Sequence, residues 1–259
     1  MRRRFIGSTA SVVLMSAVLV TGCGDGDDPA TGRAGQNATV ATTAAVAAST
    51  TTSVPASTAG GVDEIDALLP FVDAFNDDSN GWGGPFQRFD DGDYVWELPA
   101  GQSDRRSPDP LIAVEDDIEA VEVTTSLSVE GIGAVGVECA YEELEGSARW
   151  YRLLLGDDGA EITEQGLGMA AAATLASSPS GRLIDGEIEL RVVCRPDPDG
   201  YRLELHVNGE LVVAATDADD PFGRAGAPNL YAQAAPAGAD AAHTARFHDL
   251  TIVDPDTTG

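Results

Sequence analysis

Trp150, Tyr151 and Arg152 occupy consecutive positions in an alternating segment, 148–155, whose apolar phase is Tyr151, Leu153 and Leu155. Written as a strand, this segment sends Trp150 and Arg152 to the opposite face. An indole beside a guanidinium can stack on a sugar ring and hydrogen-bond its hydroxyls, and a few polar groups on an apolar surface give such a site its orientation. Trp150 and Arg152 are therefore the candidate ligand-binding residues, whereas Trp82 and Trp96 are read as packing. Catalysis has weaker support. The nearest carboxylate alternations are Glu187 with Glu189, Glu119 with Glu122, and Glu142 with Glu143 and Glu145. Glu187 and Glu189 interleave with Ile188 and Leu190, as in any half-buried strand, so no catalytic residue is assigned. The three histidines, His206, His243 and His248, accompany no serine in a Gly-x-Ser-x-Gly turn. His206 is expected to face outward with Arg202 and Glu204. No Cys-x-x-Cys or His-x-x-x-His spacing suits zinc.

The amino terminus carries a different chemistry. Arg2, Arg3 and Arg4 precede an apolar run, 5–20, that is shorter than the roughly 20 residues of a membrane span and ends at Val20, Thr21, Gly22 and Cys23. These last four residues resemble the lipobox of bacterial lipoproteins. The resemblance implies a signal peptide over 1–22, cleavage before Cys23, acylation of its thiol, and a domain held at the extracytoplasmic face of the cell membrane by lipid alone. Charge agrees with that placement. The chain has 15 Lys+Arg, all arginine, against 43 Asp+Glu, for a net charge of −28. Such a chain repels nucleic acid and anionic membrane surfaces, so neither is expected as a partner.

With Cys23 lipidated, Cys139 and Cys194 remain as a pair in an oxidising compartment. Val135, Val137, Cys139 and Tyr141 share one phase of 133–141, and Ile188, Leu190, Val192 and Cys194 share one phase of 187–195. Both thiols then point to the apolar side, and a disulfide under or between sheets is expected.

The elements that must position these residues follow from composition and period. Residues 23–62, after the signal, are rich in Thr, Ala and Ser with little to bury, so they read as a disordered tether reaching about 35 Å as a flexible coil. The globular domain is 63–255, with a tail at 256–259. Period-2 alternation marks strands at 94–98, 118–129, 133–141, 148–155, 187–195, 201–207, 210–216 and 244–253. Asn208-Gly209 marks a tight hairpin, and Asp157-Asp158-Gly159 and Asp197-Pro198-Asp199-Gly200 mark two further turns. Helical spacing is confined to 62–74, through Ile65, Leu68, Leu69 and Val72, and to the Ala-rich 168–176. The fold class is all-β.

In order and spacing, these pieces resemble the bacterial concanavalin A-like jelly roll, the laminin G-like or family-16-glycosidase-like domain also found in 3-keto-disaccharide hydrolases. The matching residues open with Phe75, Asp77, Asp78, Ser79, Asn80, Gly81 and Trp82, and continue through Gly136 to Cys139, Tyr151 to Leu155, Leu190 to Cys194 and Leu203 to Gly209. They close with Phe247, His248, Asp249, Leu250, Thr251 and Ile252. The resemblance implies an antiparallel jelly-roll sandwich; a glycan or cell-wall component is expected as partner, and a monomer as the state of the chain. It also implies a structural calcium ion held by Asp77, or Asp78, with Asp249 where first and last strands meet. The Glu-x-Asp-x-x-Glu run of family-16 enzymes is missing. A non-catalytic binding domain is therefore the expectation, with a glycoside-processing enzyme or a purely structural domain as the alternatives.

Overall fold

A computed structural model describes residues 68–256 except 146, 168–171, 184–185, 219–223 and 237–241. The signal segment, Cys23 and the tether to residue 62 lie outside the described residues. In chain order the elements are β1 (Phe71–Asp73), β2 (Gln87–Asp90), β3 (Asp93–Leu98), β4 (Ser103–Arg106), a helical turn α1 (Asp109–Ile112), a 3-10 turn (Glu115–Asp117), β5 (Val121–Glu130), β6 (Gly133–Leu144) and β7 (Ser147–Gly156). They continue as β8 (Gly159–Leu167), β9 (Ala173–Ser178), β10 (Gly186–Asp197), β11 (Gly200–Val207), β12 (Glu210–Asp217), β13 (Asn229–Ala234), β14 (His243–Phe247) and β15 (Leu250–Val253).

Among the described residues, these strands form two antiparallel sheets in a jelly-roll sandwich. One has nine strands and runs β12-β11-β10-β5-β14-β3-β2, with β15 pairing β1 and β5; the other has six and runs β4-β13-β6-β7-β8-β9. The alternation that fixes strand identity also fixes the core, because period 2 turns Val135, Val137 and Cys139 of β6, and Tyr151, Leu153 and Leu155 of β7, toward Val192 and Cys194 of the opposite sheet. Cys139 and Cys194 form the expected disulfide, which staples the two sheets across a sequence separation of 55. Gln87 Nε2 donates to Asp104 at 2.6 Å, tying edge strand β2 to edge strand β4.

The first matching segment is the floor of an aromatic cluster. Phe75, Trp82, Tyr94, Trp96 and Phe247 are fully buried, and their rings meet at 5.4 to 6.5 Å. Buried Asp73 holds this segment by accepting the Phe75 N–H (2.7 Å), the Asn80 side-chain amide (2.8 Å) and the Trp82 indole N–H (2.6 Å). Positive φ at Asn208 (51°) and Gly209 (80°) confirms the two-residue hairpin between β11 and β12.

Three expectations are corrected. The helical spacing of 62–74 gives way, over its described part, to β1: Phe71 and Asp73 are buried while Val72 between them is 64% exposed, a period of 2. Over its described part, the Ala-rich 168–176 contributes not a helix but residues of edge strand β9, because pairing with β8 overrides alanine's helical propensity. The strand expected over 244–253 is two strands, broken where His248 N–H turns aside to Ser126 O.

Candidate functional site

The outer face of the six-stranded sheet takes its chemistry from the polar phase of four strands. In register, Asn229 of β13 faces Glu138 of β6, and Glu138 faces Arg152 of β7. Arg105 of β4 faces Tyr231 of β13. Trp150 lies one polar-phase step from Arg152.

Glu138 organises them. Although it belongs to the solvent phase of its strand, it is only 1% exposed. Its Oε1 accepts the Trp150 indole N–H at 2.9 Å and Arg152 Nε–H at 2.7 Å and lies 2.5 Å from Arg152 Nη2, and its Oε2 lies 3.3 Å from Arg105 Nη1. A carboxylate withdrawn from water is tolerated only when charged and neutral donors surround it in this way. The Arg152 guanidinium also lies over the Tyr231 ring at 4.0 Å, and Tyr231 O–H donates to Gln233 at 2.9 Å. Arg105 covers Trp150 at 5.2 Å and Tyr141 at 5.9 Å, both within cation–π range.

Structure thus brings together the two residues singled out in the sequence, but changes what Trp150 does. The residue is 7% exposed, its ring roofed by Arg105 and stacked against Tyr141 with ring centroids 6.1 Å apart. An open stacking platform at Trp150 is corrected to a support beneath Arg105. Tyr141 is a second correction. It was assigned to the core phase with Cys139, yet a bulge between Cys139 and Glu142, with Ala140 at φ 57°, re-aims it to the outer face.

Two depressions flank this network. One, of about 170 Å³, is lined by Arg105, Ser107, Ile112, Glu115, Tyr141 and Asn229, with Ala227. Here Arg105 is 41% exposed and spends one N–H on Glu138, and the Asn229 side chain lies beside it. The other, of about 360 Å³, lies beside Gly156, Gln233, Asp157, Asp158 and Glu161. The smaller sets the Arg105 and Asn229 donors beside the Glu115 carboxylate, and the larger carries three carboxylates and no guanidinium among the described residues. Behind the larger depression, His243 is fully buried with both ring nitrogens lacking a hydrogen-bond partner among the described residues, and its ring abuts Gly133. Burial holds its pKa below the ordinary histidine range, against the opposing pull of Asp157 and the Gly131 backbone.

Other candidate residues serve elsewhere. Glu187 and Glu189 are exposed on β10, Glu122 pairs with Arg191 at 2.5 Å, and Glu142 pairs with Arg149 at 2.5 Å. His206 faces outward as expected and contacts Glu204, which Arg202 also holds. His248 contacts Asp93 at 2.8 Å; burial would raise the Asp93 pKa, but His248 and Arg246 outweigh it and the pKa is lowered. Asp77 accepts the Ser79 N–H, and Asp249 accepts the Ser126 N–H and hydroxyl, so the two serve separate turns. Among the described residues, no group of three or more His, Cys, Asp or Glu side chains is placed to hold a metal ion.

Sequence reasoning missed Glu138, Arg105, Asn229 and Tyr231. In sequence, Glu138 is one polar residue in an alternating strand. Only the cross-strand register shows that an indole and two guanidinium groups converge on it.

No family model and no curated protein sequence matches the chain. Among solved structures it is similar to the carbohydrate recognition domain of Emp46p in its potassium-bound form, at 13% identity and a TM-score of 0.47 over 67% of this chain and 88% of that one. It is similar also to the carbohydrate-binding module CBM66 from Bacillus subtilis, at 15% identity and a TM-score of 0.40 over 71% and 98%. A third is the Bacillus licheniformis beta-glucanase, at 10% identity and a TM-score of 0.45 over 71% and 98%. At these levels none of them lends a residue or an activity to this chain.

Proposed function

We propose that this is a lipid-anchored protein of the extracytoplasmic membrane face that binds a glycan of its envelope, without cleaving it, on the outer face of the six-stranded sheet. The observation that carries the reading is Glu138. A core has no use for a carboxylate on the solvent phase of a strand, and withdrawing it from water costs free energy that its partners must offset. What the arrangement secures is orientation: Arg152 is held by one hydrogen bond and an ion pair to Glu138, Trp150 is fixed beneath, and the outer edge of Arg105 is left over a depression beside Asn229. Fixed planar donors of this kind suit vicinal hydroxyls, and their fixed geometry reduces the ordering cost of binding. Tethering through acylated Cys23 would hold the face within reach of the envelope.

The test is a glycan-array screen of the mature protein, followed by affinity measurement on Arg105→Ala and Arg152→Ala. Each should weaken binding at least tenfold while the melting temperature shows a folded domain, and wall polysaccharide should be retained with no new reducing ends. Unchanged affinity in both folded variants, or release of sugar, contradicts the reading. For the anchor, Cys23→Ser should release the protein into the medium or block its maturation; membrane retention with no lipid seen by mass spectrometry counts against it.

A further inference from the structure

The depression at the far end of the same face has a size the fold does not explain. Its volume, about 360 Å³, lies within the range of small-ligand sites, and its wall combines apolar Ile132, Leu154 and Pro236 with Gln233, Asp158 and Glu161. What keeps it open is Gly156. This residue occupies the outer phase at the end of β7, and its backbone is not in the left-handed region. A Cβ built there would meet nothing nearer than Ala134 Cβ and Gly133 O, both at 3.5 Å, an ordinary contact. Gly133 and Gly159 differ, because a Cβ on either would strike backbone oxygen, at 2.4 Å from Gln233 O and 2.2 Å from Ser178 O respectively. The fold therefore needs glycine at 133 and 159 but not at 156. Within a strand, glycine weakens the element, so an unneeded one at the floor of a cavity marks a place where something approaches the backbone.

The lining also sets the polarity of whatever enters. Asp157, Asp158 and Glu161 are acceptors, no basic side chain lines the wall among the described residues, and Gln233 has its oxygen occupied by Tyr231. Glu161 is oriented by the Thr174 hydroxyl at 2.7 Å, and Asp157 by the Gly133 N–H at 3.1 Å. A ligand there must bring hydrogen-bond donors and an apolar ring face, and must carry no anion. Along β13, Asn229 and Gln233 mark the two depressions, four residues or roughly 13 Å apart on one strand.

Building on the glycan-binding reading, we propose that the ligand is an oligosaccharide, held in one direction along β13. Its sugar at the Gly156 end carries hydroxyls or an amine and no carboxylate, while at the other end Arg105 and Asn229 donate to ring hydroxyls.

Calorimetric titration of the mature protein with cellohexaose, laminarihexaose, maltohexaose, a glucosamine hexamer and hexagalacturonate tests this. At least one hexamer without carboxylates should bind. Its affinity should fall at least tenfold in Gly156→Leu, whose side chain fills the depression, and glucose should bind at least a hundredfold more weakly than that hexamer. Hexagalacturonate, acidic on every ring, should bind more weakly than the best neutral or amine hexamer. Should Gly156→Leu fail to fold, the Asp158→Asn/Glu161→Gln double variant serves instead, and it should narrow the gap between acidic and neutral hexamers. Failure of every hexamer to bind, hexagalacturonate binding as tightly as the best of the others, or undiminished affinity in a folded Gly156→Leu overturns the proposal. If Arg105→Ala abolishes binding while Gly156→Leu leaves it intact, this inference falls and the reading of the Arg105 end stands. If neither variant matters, both fall.

Discussion

Replacing Glu138 with alanine removes the one acceptor shared by Trp150, Arg152 and Arg105. The cost can be worked from exposure. Arg105 is 41% exposed and its contact with Glu138 is long, so its share falls in the surface range, about 0 to 1 kcal/mol. Arg152 is 17% exposed and loses a charge-assisted hydrogen bond and an ion-pair contact, and the Trp150 indole N–H, on a residue 7% exposed, is left without an acceptor. At about 1 to 3 kcal/mol for each buried group left unsatisfied, and with partial resolvation of Arg152, Glu138→Ala should destabilise the domain by about 3 kcal/mol. Urea denaturation of the mature protein followed by tryptophan emission reads this directly; for a slope of about 2 kcal/mol/M the midpoint falls by about 1.5 M. Glu138→Gln, which keeps an acceptor for the indole, should lose less. A double-mutant cycle with Arg152→Ala should show coupling of about 2 kcal/mol. A loss under about 0.5 kcal/mol, or strict additivity in the cycle, would mean that Glu138 organises nothing and would refute the account of this face.

Two predictions concern the frame that carries the face. Unfolded, unreduced protein should titrate no thiol at Cys139 or Cys194, and Cys139→Ala/Cys194→Ala should lose about 4 kcal/mol by the chain-entropy estimate for a closed loop of this span; free thiols would refute the bridge. Because burial lowers the His243 pKa in the folded state, the stability it contributes is present above its unfolded pKa and is lost as pH falls below that value, by at most about 1.4 kcal/mol per pH unit. Denaturation midpoints between pH 7 and 5 should show this slope, and His243→Leu should flatten it; an unaltered slope in the variant assigns the effect elsewhere.

Long alternating strands were legible because period 2 over seven or more residues has no helical counterpart. β10, β11 and β12, with the Asn208-Gly209 turn, follow the pattern closely. Short strands were not. β1, β2 and β4 hold three or four residues each, too few to establish a period, and β1 and β4 pair with strands distant in sequence. The Tyr141 phase failed for a local reason, since a bulge at Ala140 shifts the register by an amount no hydrophobic pattern records. At the candidate site, Trp150 and Arg152 were readable as a polar phase holding one aromatic and one guanidinium. Glu138 was not, because its burial depends on side chains reaching it from β4 and β7.

Tryptophan emission during ligand titration tests the central claim most directly. The chain has three tryptophans, of which Trp82 and Trp96 are fully buried in the aromatic cluster and Trp150 lies beneath Arg105 on the outer face. A glycan that engages Arg105 should alter the emission saturably, and the change should vanish in Trp150→Phe while the sugar is still retained. Sugar retained with no change in emission, or a change that survives in Trp150→Phe, would place the ligand elsewhere on the molecule.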